Sequence, residues 1–364
     1  MTVTLEVLPA GHGDALVVTH GPPSRRRRIL IDGGPAPKYE EGLRAYLLTL
    51  PEPQRRFDLA IVTHIDADHI DGMLKLLQDD ALGLKIREVW FNGWPQISGS
   101  AIPAPPRPGD RGPLQGEFLT ELLRTRRWNT TFSGGVAGQG LDQSIKLPGG
   151  ATVSVLCPTE AELGRLRREW DRTVTDAGFA PGDSAAIALR LEASGRYEPP
   201  EEAVRSRGGP PVRARPKLGS DRAVANGSSI AVFFEAEGRR LLLAGDAHAR
   251  VMVEALRKVA ERDGTERVKV DVFKLAHHGS AGNVTRDLLN LVECDRYVVS
   301  TNGQYFNHPD VEAVELLGRP GEDCPTVYFN YDSDTTRAWT DLDECQRIGI
   351  QAVYGRDGHI TIEV

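Results

Sequence analysis

The chain of 364 residues has few cysteines, no long apolar run and no excess of positive charge. No stretch approaches the roughly 20 consecutive apolar residues that a membrane-spanning helix requires. The four cysteines are far apart and form no CxxC pair, and no signal-peptide pattern is present, so we expect reduced thiols, a cytoplasmic protein and no membrane partner. The net charge of −7 argues against a diffusely basic surface for nucleic acid, although local basic patches stay open.

Short apolar runs of strand length alternate with segments of helical periodicity, which predicts an α/β layered fold. The expected strands cover residues 3–8, 15–19, 29–32, 59–63, 152–156, 185–192, 230–235, 240–244, 270–275 and 297–300. The expected helices cover residues 42–50, 70–77, 117–124, 160–170, 250–259, 286–292 and 311–317. We predict that the strands on either side of residues 194–227 pair with each other. Because the candidate ligands lie far apart in sequence, we predict a single domain over residues 1–364.

Two segments interrupt this alternation. Six prolines lie in residues 95–113, which predicts an irregular loop near the site. Residues 194–227 are rich in proline and arginine and poor in large apolar side chains, which predicts a flexible insertion. The insertion is either a neutral surface loop or a regulatory segment, which a protease could nick after its basic residues to release a lid.

Four side chains that bind metals lie within six residues, directly after the apolar run 59–62: His64, Asp66, Asp68 and His69. Clustered carboxylates and imidazoles are costly to bury unless a cation neutralises them. The alternative is a loop that caps the following helix, but capping requires one carboxylate and no histidine. The spacing therefore predicts a metal site.

The spacing of His64, Asp68 and His69 resembles the HxHxDH motif of the metallo-β-lactamase superfamily, with Asp66 at the place of the second histidine. Further segments resemble the hydrolase domain of ComEC-type competence proteins, without the membrane channel: Gly11-His12-Gly13-Asp14-Ala15, Ile29-Leu30-Ile31-Asp32-Gly33-Gly34, Gly245-Asp246-Ala247 and His277-His278-Gly279-Ser280. The resemblance covers roughly residues 3–310. It implies a four-layer αββα sandwich with the metal site at one edge, between the sheets.

The resemblance also implies two divalent metal ions, Zn²⁺ or Mn²⁺ with Mg²⁺ as a further option. His64 and Asp66 would face the first ion, Asp68 and His69 the second, and Asp246 would bridge them. A later histidine would complete the second set, with His278 and His308 as the main candidates and His277 beside them. Asp68 would accept or relay a proton, and His278 would contact the reacting group.

The sequence departs from the superfamily pattern by having no histidine between Met73 and Asp246. The third ligand of the first ion is therefore open: Asn226, Asp183, a water, or a histidine of the 277–278 pair. Oxygen ligands in place of imidazoles suit harder ions, so we expect Mn²⁺ or Mg²⁺ to support activity as well as Zn²⁺.

The resemblance implies a metal-dependent phosphodiesterase, most plausibly a nuclease that cleaves DNA with a hydroxide activated by two metal ions. The basic runs 25–28 and 205–222 would contact phosphates, or are ordinary solvated surface. One alternative is a hydrolase of small esters, thioesters or lactones. The other is a catalytically weakened metal-binding regulatory scaffold.

Overall fold

The computed structural model describes residues 3–98, 112–140, 144–194, 220–321 and 323–364. In chain order its strands are β1 (Thr4–Val7), β2 (Leu16–His20), β3 (Arg27–Ile31), β4 (Arg56–Phe57), β5 (Leu59–Ile61), β6 (Lys85–Ile86), β7 (Val89–Trp90), β8 (Ile145–Lys146), β9 (Thr152–Cys157), β10 (Ala231–Ala236), β11 (Arg239–Leu243), β12 (Val268–Lys269), β13 (Val272–Lys274), β14 (Val292–Glu293), β15 (Arg296–Val299), β16 (Thr326–Phe329), β17 (Gln351–Tyr354) and β18 (Ile360–Glu363).

The helices of the described residues are α1 (Ala45–Thr49), α2 (Ala67–Gln78), α3 (Trp94–Ile97), α4 (Gly112–Leu123), α5 (Glu160–Asp176), α6 (Ser184–Ser194), α7 (Val224–Gly227), α8 (Ala249–Asp263), α9 (Arg286–Leu289), α10 (Val311–Glu315) and α11 (Leu342–Ile348). Several single turns of tighter or wider helix join them, among them Ala276–Gly279 directly after β13. Within these described ranges, no helix is both long and apolar enough to cross a membrane.

Two large sheets form the centre of the molecule. The first has six strands in the order β18-β1-β2-β3-β5-β7, and the second has eight in the order β17-β16-β15-β13-β11-β10-β9-β8. Strands β3, β5 and β7 are parallel, as are β11, β13, β15, β16 and β17. Because the carboxyl ends of neighbouring parallel strands meet at one edge, the loops after these strands lie close together.

Three apolar clusters show that the sheets and helices form four layers. One cluster lies between the two sheets and includes Val18, Ile61 and Leu243. A second joins the outer face of the first sheet to α2, α4 and α5, and a third joins the outer face of the second sheet to α8. Side chains alternate between faces along β11, where Leu242 belongs to the outer cluster and Leu243 to the inner one. The expected four-layer αββα sandwich is confirmed.

The predicted strand at residues 185–192 is wrong, because this segment forms helix α6. The predicted pairing of that segment with β10 is wrong as well, since β10 pairs with β9 and β11. Ile187 is buried while Leu189 is 67% exposed, as on one side of a helix. A short apolar run has no period that distinguishes strand from helix, and its alanines favour the helix.

The proline-rich segment 95–113 is more regular at its ends than we predicted. Pro95 lies in the first turn of α3, and Pro113 lies in the first turn of α4. Proline is tolerated there because the first amide groups of a helix have no partner within it. The centre of this segment, 99–111, and most of the predicted insertion 194–227, namely 195–219, lie outside the described residues. Val224–Gly227 forms one helical turn.

Candidate metal centre

The predicted ligands reach one place from both sheets. Their segments follow the carboxyl ends of strands β3, β5, β11 and β13, and the side chains that meet are Asp32, His64, Asp68, His69, Asp246, His277 and His278. The chain turn after β5 leads directly into α2, so His64 lies before the helix and His69 in its first turn. The site therefore lies at the edge where the two sheets bring their strand ends together.

Asp246 is the centre of this cluster. Its Oδ2 atom lies 3.9 Å from His64 Nε2, 3.5 Å from His69 Nε2, 3.8 Å from His277 Nε2 and 3.7 Å from His278 Nε2. These separations are longer than ordinary hydrogen bonds. One carboxylate oxygen thus faces four imidazole nitrogens, which is the arrangement expected of a ligand shared by two metal ions.

Several of these atoms are buried and have no hydrogen-bond partner in the described structure. They are the Nε2 atoms of His64, His69 and His278 and the Oδ1 atom of Asp246. A buried polar atom without a partner costs about 1–3 kcal/mol, and here four occur together. Nitrogen and carboxylate donors in this arrangement fit divalent cations, so the residues present fit the expected group.

One set of donors surrounds His64. Its Nε2 atom lies 3.6 Å from Asp66 Oδ2. The Asp66 side chain is 40% exposed, so this donor lies on the solvent side of the set. Asp246 Oδ2 lies 3.9 Å from His64 Nε2 and 3.8 Å from His277 Nε2, so we count Asp246 and His277 with this set. The sequence lacks a middle histidine, and His277, one of the open candidates for that ligand, lies beside the shared carboxylate.

The second set surrounds His69. Asp68 Oδ2 lies 3.8 Å from His69 Nε2 and 3.5 Å from His278 Nε2. Potential ligand atoms of these three residues all lie within 4.8 Å of one another. With Asp246, the set contains two imidazoles and two carboxylates, and Asp246 belongs to both sets.

The rings are oriented by hydrogen bonds at their other nitrogen. His69 Nδ1 lies 2.8 Å from Asp32 Oδ2, and His278 Nδ1 donates to the carbonyl oxygen of Ser300 at 2.8 Å. The Thr63 hydroxyl donates to Asp32 at 2.7 Å, so it accepts from His64 Nδ1 at 2.9 Å. Each contact places a proton on Nδ1, so Nε2 is the nitrogen that faces Asp246 and that a metal ion could bind.

His277 is held in the same manner by residues that we did not predict. Its Nδ1 atom lies 3.1 Å from Asn283 Oδ1 and 3.4 Å from Asp221 Oδ2. The amide nitrogen of Asn226, one of the open candidates for the missing ligand, donates to Asp221 at 2.8 Å, and its Oδ1 atom is buried without a hydrogen-bond partner in the described structure. Asp183, another candidate, accepts from the backbone of Ala180 at the start of α6. A single aspartate or asparagine in a loop gives no sequence signal for such a role.

His308 does not join the two donor sets. Its ring centroid lies 5.0 Å from that of His277, and its Nδ1 atom lies 3.6 Å from Asp310 Oδ2. Among the described residues, the groups of ligand atoms within 4.8 Å of one another contain His278 but neither His277 nor Asp66, and they do not contain His308. Its role as a metal ligand stays a prediction.

A buried ion pair supports the cluster from inside. Lys274 is fully buried at the end of β13 and contacts the carboxylate of Asp14, and Asp14 Oδ1 lies 3.4 Å from His278 Nδ1. The sequence contained a signal for this pair, namely a lysine within an apolar strand directly before the two histidines, but we did not identify it. Burial alone would raise the pKa of Asp14, but the charges of Lys274 and His278 outweigh burial and lower it.

Without bound metal, the carboxylates and imidazoles shift each other's pKa values. Burial would lower the pKa of His69, but the charges of Asp246 and Asp68 raise it well above its ordinary value. Burial would also lower the pKa of His278, but nearby negative charges, mainly that of Asp246, raise it to about 9. Burial would raise the pKa of Asp246, yet His69 and His278 lower it far below its ordinary range. The cluster thus holds protons that a metal cation would replace.

No protein-family model and no curated protein sequence matches the chain. Among solved structures, the metallo-β-lactamase fold protein YhfI from Bacillus subtilis is similar with 11% identity and a TM-score of 0.44, over 100% of both chains. CmlA, a diiron β-hydroxylase from Streptomyces venezuelae, is similar with 15% identity and a TM-score of 0.43, over 100% of this chain and 54% of CmlA. The present chain therefore spans about half the length of CmlA. By its own layers and strand order, the chain is a four-layer αββα sandwich with a His/Asp cluster that could hold metal ions.

Proposed function

We propose that the chain is a metal-dependent phosphodiesterase that cleaves DNA. The observation that carries the proposal is the position of Asp246, whose Oδ2 atom faces His64, His69, His277 and His278 at 3.5 to 3.9 Å. A carboxylate shared by two donor sets is the arrangement of two-metal hydrolases. The motifs around Asp14, Asp246 and His278 add the resemblance to ComEC-type hydrolase domains, which supports a phosphodiester substrate.

When bound, two divalent ions would lower the pKa of a water molecule and neutralise charge on the phosphate. The residues of the chain have separate parts in this chemistry. Asp246 and the histidines would hold the ions, and Asp32, Ser300 and Thr63 orient the rings. The carboxylate of Asp68 lies between His69 and His278 and is only 13% exposed, so it can accept a hydrogen bond from a water molecule at the reacting centre and relay its proton.

Two arginines of the first basic run are engaged in the fold. Arg27 pairs with Asp58 at 3.0 Å, and Arg28 is buried and donates to the carbonyl oxygen of Gln54. Phosphate binding by this run stays a prediction. Most of the second basic run lies outside the described residues. We infer that DNA affinity depends on the metal centre and on groups close to it, and less on a basic surface.

The test is DNA cleavage by purified protein that has been stripped of metal and reloaded with Mn²⁺, Mg²⁺, Zn²⁺ or Fe²⁺. Asp68→Asn is the variant, and Asp176→Asn, an exposed carboxylate at the end of α5, is the matched control. We expect cleavage of plasmid and of single-stranded DNA that the variant loses and the control keeps. Removal of one proton-transfer group typically costs 10²–10⁴-fold in rate.

Two results would contradict the proposal. Hydrolysis of lactones or thioesters without cleavage of DNA or of simple phosphodiesters would favour the small-ester alternative. Metal binding without turnover of any of these substrates, with unchanged behaviour of Asp68→Asn, would favour the regulatory scaffold.

A further inference from the structure

Two consecutive aromatic residues are exposed beside the candidate centre. Tyr305 is 37% exposed and Phe306 is 52% exposed, in the turn between β15 and α10. Single exposed apolar side chains are common on protein surfaces. Here two exposed rings are adjacent and lie at the edge of a charged cluster.

Both rings border the donor sets. The Phe306 centroid lies 6.5 Å from that of His277, and the ring is stacked with His308 at 6.2 Å with an interplanar angle of 17°. The Tyr305 ring meets His12 edge to face at 4.6 Å. Since His277 also faces Asp246, a substrate phosphate at the metal centre would place its neighbouring groups against these rings.

The turn holds the rings outward at a conformational cost. Gly303, Tyr305 and Asn307 all have positive φ, of 76°, 71° and 58°. For a bulky residue such as tyrosine this conformation is strained, and strained turns are concentrated at functional sites. Backbone hydrogen bonds fix the turn, with Asn307 N donating to Gly303 O at 3.0 Å and Asn302 N donating to Gly11 O at 2.8 Å. The segment is thus attached to the loop that carries Asp14.

We infer that Tyr305 and Phe306 form a stacking surface for an unpaired base next to the scissile phosphate. The inference rests on the proposed nuclease function and specifies its substrate class as single-stranded DNA. Every base presents a flat face that stacks on an aromatic ring, whereas duplex bases already stack on each other. The chain is acidic, and Arg27 and Arg28 are engaged in the fold. Aromatic stacking would let such a chain bind bases without a basic surface.

The test compares cleavage of single-stranded and duplex DNA of one sequence. The variants are Phe306→Leu, which keeps an apolar side chain without a ring, and Phe306→Trp, which restores one. Loss of stacking at one base costs roughly 5- to 100-fold in affinity, so we expect KM for the single strand to rise by that factor in Phe306→Leu. KM for duplex DNA and kcat on both substrates should stay near wild type, and Phe306→Trp should restore KM. Leu342→Ala, which truncates an 83% exposed apolar side chain on α11, is the control.

An abasic site moved along the strand adds a readout that a purely structural role would not change. In the wild-type protein, kcat/KM should fall when the abasic site reaches the position of the base that stacks on the rings. In Phe306→Leu, an abasic site at that position should cause no further fall in kcat/KM. Fluorescence anisotropy with the labelled strand in EDTA measures the same preference without turnover.

The outcomes separate the two claims. Equal KM values for wild type and Phe306→Leu, or equal losses on single-stranded and duplex DNA, would overturn the stacking surface. A wild-type protein that cuts no DNA with any metal would overturn the proposed function, and the anisotropy comparison would still decide whether these rings bind an unpaired base.

Discussion

Replacement of Lys274 by methionine should reduce the free energy of unfolding by about 3–5 kcal/mol. Lys274 is fully buried, and its partner Asp14 is 1% exposed, so the change leaves a buried carboxylate without its ammonium partner and with only His278 as a nearby cation. Methionine fills a similar volume, so packing accounts for little of the loss. The magnitude follows from the buried charge: water cannot screen or solvate Asp14 once the ammonium group is removed.

The assay is urea unfolding followed by tryptophan fluorescence, in EDTA so that metal binding does not contribute to stability. Lys258→Met, at an exposed position of α8, is the matched control and should change stability by less than about 0.5 kcal/mol. The double variant Asp14→Asn/Lys274→Met should lose less than Lys274→Met alone, because neither charge remains. A Lys274→Met variant as stable as the control would refute the reasoning.

Three further predictions concern the metal centre and the thiols. In His277→Ala, the number of metal ions bound per chain, measured by mass spectrometry, should fall from two towards one. The control His359→Ala, which lies outside the donor sets, should keep both ions. Equal metal content in the two variants would contradict the role of His277. The pKa of His278 is raised to about 9 without metal, so metal affinity should increase as the pH rises towards that value. Metal binding should also release protons, which calorimetry in two buffers measures. Binding without proton release would contradict this prediction. One thiol, that of the partly exposed Cys324, should react with a disulfide reagent in the native protein and all four after unfolding; rapid reaction of the three buried thiols would be inconsistent with the packing.

The ligands that lie close together in sequence could be predicted to share one site. The positions of the ligands that depend on the backbone of a turn could not. His64, Asp68 and His69 follow one strand and enter one helix, so their spacing alone indicates a shared centre. His277 and His278 are adjacent, and in an extended strand their side chains would point to opposite faces. Both have positive φ here, of 48° and 55°, and both Nε2 atoms face Asp246. No residue pattern predicts that backbone for two histidines.

The fold class could be predicted because strand and helix periods alternate along most of the chain. The failure at α6 has a physical cause: an alanine-rich apolar run satisfies the strand pattern locally, while its exposed Leu189 and buried Ile187 reveal a helix only in three dimensions. The pairing of Lys274 with Asp14 joins residues 260 positions apart in sequence, so it required the structure.

The most direct test of the central claim is an anomalous difference map from crystals of the full chain grown with Mn²⁺. We predict two peaks about 3.5–4 Å apart, one on each side of the Asp246 carboxylate. One peak should lie beside His64 and His277, the other beside His69 and His278. No peak at Asp246, or a single ion bound away from these histidines, would contradict the two-metal centre on which the proposed function depends.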